Sequence, residues 1–274
     1  MLLKKRAKNL AACFTGGQVT SLGKAPGFPS GSRASFFVLQ PNPPDCVSIS
    51  MKTNKLSASA ALPLYTVKEE IWNATIHGVG VLAAIAGLVL LSLKAIGAFN
   101  GERAAAIVIV TALIFTGTMI GMFLISTLYH AIQHRGAKNI LRCFDHSFIF
   151  VFIAGTYSPF CLAVIGGALG WSIFAVQWAV ALLGVTLNFL KFKALKKVEI
   201  AAYIIMGWVI VICIVPLIRS VPAPSLILLL AGGIAYTLGT IWYRMKRVKH
   251  THAVWHTFVM LGAVLHWFSL WYIL

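Results

Sequence analysis

Acidic side chains are scarce in this chain: six Asp and Glu stand against 23 Lys and Arg, for a net charge of +17. Charged residues of both signs make up only 11%, too few for the solvated surface of a soluble domain. Cysteine is sparse as well. Cys13, Cys46, Cys143, Cys161 and Cys213 are scattered, with no CxxC pair, which excludes a disulfide framework or a thiolate metal site. No His-Glu-x-x-His run occurs, so a metalloprotease site of the soluble type is excluded. Nucleotide-binding loops, nucleic-acid motifs and internal repeats are missing too. No apolar core follows Lys4-Lys5-Arg6, so no cleaved secretory signal is expected.

What the chain has is apolar length. Hydrophobic residues reach 59% and mean hydropathy is +0.87, values of a polytopic membrane protein. Seven apolar stretches can each cross a bilayer as a helix: Ile76–Ile96, Ala104–Tyr129, Phe144–Ile165, Trp171–Phe189, Ile200–Ile218, Ser225–Tyr243 and Ala253–Leu274. The expected fold is all-α, a bundle of seven transmembrane helices over residues 66–274, with neighbours antiparallel because the loops are short. Gly117 with Gly121, Gly232 with Gly233, and Gly239 are expected to serve close helix packing. The run Gly155-Thr-Tyr-Ser-Pro159 predicts a kink that opens a cavity.

Cations alternate between loops. His134–Arg142, Lys191–Glu199 and Arg244–Lys249 are rich in Lys and Arg, whereas Gly97–Arg103, Gly166–Gly170 and Arg219–Pro224 are poor. The positive-inside rule then puts the N-terminus in the cytoplasm and the C-terminus outside. Membrane topology accounts for the basic balance, so no nucleic-acid partner is expected. Membrane lipids are the expected partners. Residues 1–65 are basic and rich in Ser, Gly and Pro, with Asp45 their single acid. They are expected to be disordered and without a chemical role. Translation starting at Met51 explains them better than an organellar transit peptide.

Several polar residues fall at one expected depth. His130 ends the second stretch, Asp145 begins the third, and His252 and His256 begin the seventh. All lie beside cation-rich, cytoplasmic loops. His252 and His256, four residues apart, share a helix face, as do Ser126 and His130. Ionisable groups at membrane depth are functional candidates. Three imidazoles with an open position form the ligand set of catalytic zinc, so His130, His252 and His256 are the predicted metal ligands. Asp145, the only carboxylate inside the apolar stretches, is the predicted proton acceptor. Ser126 is the predicted hydrogen-bond donor to water or to a developing oxyanion.

The remaining histidines have duller readings. His134 competes as a ligand only by spacing and is expected to be solvated. His146 is a candidate outer partner, and His250 belongs to a loop. His266 lies about 21 Å along the axis from His252, so it cannot share the ion and is expected to be a structural hydrogen bonder. Glu70, Asn73 and His77 share one stripe, and either support the ligands or only join helices.

In order along the chain stand Glu70-x-x-Asn73-x-x-x-His77, Ser126-x-x-x-His130, Asp145-His-Ser147, Ala154-Gly-Thr-Tyr-Ser-Pro-Phe160, Met206-Gly-Trp208 and His252-x-x-x-His256. Together they resemble the haemolysin III group of the progestin and adiponectin receptor family, over roughly residues 66–274. The resemblance implies zinc held near the cytoplasmic face by His130, His252 and His256, with Ser126 and Asp145 adjacent. It also implies a hydrolase of a lipid amide or ester, ceramidase-like, serving membrane-lipid homeostasis in a bacterial plasma membrane. The alternatives are a cytolysin, or a receptor or sensor with a structural zinc.

Overall fold

A computed structural model describes residues 65–97, 103–192, 194–245 and 248–274. Expectations for residues 1–64 lie outside the described residues. Among the described residues, seven helices are long and apolar enough to cross a membrane: Val67–Gly97, Ala106–Ala131, Arg135–Ile165, Gly167–Phe189, Val198–Ser220, Ala223–Arg244 and Thr251–Ile273. They are numbered here as spans one to seven. No strand occurs among the described residues.

Several spans begin before their apolar stretches, and the starts have local causes. Thr66-Val-Lys-Glu69 is a capping box. The Thr66 backbone N–H donates to Glu69 Oε2 at 2.8 Å, and the Glu69 N–H donates to Thr66 Oγ1 at 3.3 Å. The first helix therefore starts nine residues ahead of Ile76. His134 caps the third, its Nδ1 accepting from Ala137 N at 3.3 Å, so Arg135–Cys143 is helix rather than loop. Lys138, expected among the topology-setting cations, is instead buried and bonded to Glu70. A polar first turn adds no hydropathy, but it remains helical where caps and ion pairs satisfy it.

The third span is the most enclosed, with 56% of its apolar window buried against 17% for the fifth. Span one packs on span two, two on three, three on four, and six on seven, while span seven returns against span one. Consecutive helices thus surround a shared interior, and apolar side chains such as Leu82, Leu183 and Ile212 face outward, as in a bilayer.

Two breaks sit opposite each other. Pro159 ends the regular part of span three, and a π-helical turn follows over Phe160–Ile165, the irregularity expected from the Gly155–Pro159 run. In span five the helix tightens to 3₁₀ over Val209–Cys213. Tyr157 patches that second break: its hydroxyl donates to Gly207 O at 2.8 Å and accepts from Ile210 N at 2.7 Å. Backbone groups freed inside a membrane need such partners.

The glycine expectations divide. An added Cβ at Gly121 would lie 2.6 Å from the Phe148 ring, and one at Gly239 2.8 Å from Phe258, so both permit close packing. Gly117 meets nothing within 4 Å; it shares a face with Gly121 only by spacing, and no neighbour exploits it.

Candidate metal centre

The three histidines named from sequence converge. One ligating nitrogen from each of His130, His252 and His256 lies within 4.8 Å of the others, so the group can hold a metal ion. His130 and His256 are buried and His252 is half-buried. Span two ends where span seven begins, which brings a C-terminal imidazole beside two N-terminal ones.

Hydrogen bonds select the tautomers. His130 Nδ1 lies 2.7 Å from Glu70 Oε2. A carboxylate only accepts, so Nδ1 carries the proton and Nε2 keeps its lone pair. Lys138 Nζ donates to the other Glu70 oxygen at 2.6 Å. His256 Nδ1 lies 2.9 Å from His77 Nε2; with its proton donated there, His256 Nε2 is also bare. Outer partners of this kind orient metal-binding imidazoles. Asn73 completes the stripe. Its amide lies 3.4 Å from His130 Nδ1, and turning the amide would give its otherwise unpartnered oxygen that proton to accept.

The spacing tests whether a metal fits. His130 Nε2 and His256 Nε2 are 3.2 Å apart, so two lone pairs face each other with no proton assigned between them. A tetrahedron with zinc–nitrogen bonds of about 2.0–2.1 Å has an edge of roughly 3.3 Å. That pair therefore has the spacing a divalent ion with nitrogen ligands needs, and the His252 nitrogen lies within 4.8 Å to join them.

A cavity of about 660 Å³ opens from this centre. His252, His256, Ser126 and Asp145 line it, and it runs between the spans as far as His266. Ser126 Oγ is buried with no hydrogen-bond partner, which suits a group meant for a ligand. Asp145 is half-buried, so its carboxylate remains reachable from the cavity it lines.

Other residues fall where their chemistry sends them. His134 is exposed and serves as a helix cap. His250 sits in the turn before span seven with φ 62°. His266 Nε2 donates to Leu229 O at 3.0 Å, the structural bond expected of it. His146 pairs with Glu199 at 3.1 Å, and Tyr203 donates to the same carboxylate at 2.8 Å. Asp145 is consequently not the sole carboxylate within the spans: Glu69, Glu70 and Glu199 lie inside helices that outrun their apolar stretches. Sequence reasoning also passed over Tyr65. Of residues 1–65 it alone is described, and its ring stacks on His252 with centroids 5.0 Å apart. Burial pushes its hydroxyl above the usual tyrosine range. The Thr66–Glu69 box, which carries Tyr65 just ahead of the first helix, was the available signal.

Comparison with known proteins agrees with this architecture. A family model described as Haemolysin-III related matches residues 65–267. The chain is 40% identical over 205 residues to a hemolysin-3 homolog of Bacillus subtilis (strain 168), covering 75% of this chain and 94% of that protein. It is 36% identical over 209 residues to hemolysin-3 of Bacillus cereus, covering 76% and 93%. The human monocyte to macrophage differentiation factor is 28% identical over 174 residues, covering 59% and 69%. Seven membrane-spanning helices, a buried histidine centre and these matches together show that the chain is a multi-pass membrane protein of the haemolysin III group, within the progestin and adiponectin receptor family.

Proposed function

We propose that this protein is a zinc-dependent hydrolase of a lipid amide or ester, acting within a bacterial plasma membrane and serving membrane-lipid homeostasis. The observation that carries the reading is the convergence of three imidazole nitrogens within 4.8 Å at the mouth of a cavity lined by Ser126 and Asp145. By the distribution of loop cations, the site faces the cytoplasm. Zinc supplies a Lewis acid that polarises a carbonyl and acidifies water.

The chain's own groups divide the remaining work. His130, His252 and His256 hold the ion, and Glu70 and His77 keep the first and last of these rings turned toward it. Asp145 takes the proton from the attacking water and passes it to the leaving amine or alcohol. The unpartnered Ser126 hydroxyl donates to the carbonyl oxygen as negative charge develops there. Tyr65 covers His252 and limits bulk water at that end. The cavity between spans admits a hydrocarbon chain.

A metal assay followed by lipid analysis tests this. Protein purified without chelators carries about one zinc per chain, and none in His252→Ala. Lipid extracts incubated with wild type lose one amide or ester class that Asp145→Ala leaves intact. Zinc-bound protein that changes no lipid refutes hydrolysis and favours a sensor with structural zinc. The name of the Bacillus cereus relative raises a second reading, cytolysis. Lysis by the Ser126, His130 and Asp145 triple alanine variant at the wild-type level would separate lysis from the metal chemistry.

A further inference from the structure

Far from the histidine centre, the same cavity touches a second polar group that the hydrolytic reading does not use. His266 on span seven and Tyr236 on span six both line it. Their rings meet edge to face with centroids 5.4 Å apart. The two rings are seated reciprocally. A Cβ added to Gly232 would lie 2.3 Å from His266 Cδ2, and one added to Gly262 would lie 2.7 Å from the Tyr236 ring. Each ring thus fills a slot left by a glycine on the opposite helix and cannot swing away without losing that packing.

Their polar atoms are left over. His266 Nε2 is spent as a donor to Leu229 O, so Nδ1 carries a lone pair and no hydrogen. Nδ1 has no partner, and neither does the Tyr236 hydroxyl, although His266 is 92% buried, since 8% of its surface is exposed. Orphaned buried polar atoms cost stability and call for an explanation. One is a fixed acceptor and the other can donate. A hydroxyl group has the matching chemistry, a hydrogen to donate to His266 Nδ1 and an oxygen to accept from Tyr236.

We propose that His266 and Tyr236 form a subsite for a hydroxyl group near the far end of the substrate's hydrocarbon chain, so that the protein selects hydroxylated chains over plain ones. This rests on the reading that the cavity holds a lipid whose cleaved bond lies at the histidine end. Spacing sets where the hydroxyl falls. His266 lies about 15 Å along the helix from His256 and about 21 Å from His252. An extended palmitoyl chain reaches roughly 20 Å from standard bond lengths, so its terminal carbon arrives at this level and its second carbon does not.

Three fatty acids separate the outcomes: palmitate, α-hydroxypalmitate and ω-hydroxypalmitate, measured by equilibrium binding to full-length protein in detergent, with and without prior chelation. ω-Hydroxypalmitate is expected to bind about tenfold tighter than palmitate, about the worth of two net hydrogen bonds, and α-hydroxypalmitate no tighter than palmitate. Tyr236→Phe reduces the preference to under about threefold, one bond being lost. That variant removes only an unpartnered hydroxyl, so its thermal stability should match or exceed wild type. His266→Leu abolishes the remainder. Equal binding of all three acids, saturable binding of none, or a preference untouched in both variants overturns the subsite and leaves a trapped water as its occupant. Hydrolysis without hydroxyl preference would sink the subsite alone. Hydroxyl preference in protein that neither binds zinc nor hydrolyses lipid would sink the hydrolase reading alone.

Discussion

Glu70→Gln is the sharpest single perturbation of the metal centre. The Glu70 carboxylate bridges Lys138 Nζ at 2.6 Å and His130 Nδ1 at 2.7 Å, and all three residues are buried. Glutamine keeps the shape but offers one accepting oxygen to two donors, and leaves the ammonium without a counter-charge. Removing one partner of a buried pair costs about 3–5 kcal/mol. Losing the anionic acceptor behind a metal-bound imidazole weakens metal affinity about 10–100-fold. Zinc competition with a chromogenic chelator reads the second effect, and thermal unfolding in detergent reads the first. A double variant separates them. Glu70→Gln with Lys138→Met removes the stranded charge and should recover most of the stability, yet zinc binding should stay weak. Unchanged zinc affinity in Glu70→Gln, alongside the expected loss of stability, would refute Glu70 as a support of His130 and leave it as interhelical glue.

Outcomes for four further variants follow from the geometry. His252→Ala leaves two imidazoles and should abolish stoichiometric zinc while the seven-helix fold persists, checked by elemental analysis and far-ultraviolet circular dichroism. Asp145→Ala should lower turnover of the responsive lipid by about 100-fold or more with zinc content unchanged, as should Ser126→Ala by about tenfold or more. Tyr157→Phe strips partners from Gly207 O and Ile210 N; it should cost about 2 kcal/mol or more, read as a lowered midpoint of thermal unfolding.

Much of the architecture was legible because it depends on local composition. Seven apolar runs specify seven helices, since a backbone in lipid must satisfy its own hydrogen bonds. The depth of His130, His252 and His256 followed from counting along those helices. The helix starts at Val67 and Arg135 were not seen, because hydropathy is blind to turns held by capping and ion pairs. That is why Lys138 was counted as a loop cation and why Tyr65 was left with the extension.

Sequence by itself determined the helical class, the number of crossings and the end of the bundle to which the histidines belong, since each depends on the distribution of apolar residues along one helix. Tertiary structure alone decided which atoms meet. The Glu70–His130 and His77–His256 pairs join residues 60 and 179 positions apart, and the reciprocal seating of His266 on Gly232 and Tyr236 on Gly262 needs two helices in register. Such contacts depend on how helices rotate and approach, which no periodicity within one helix encodes.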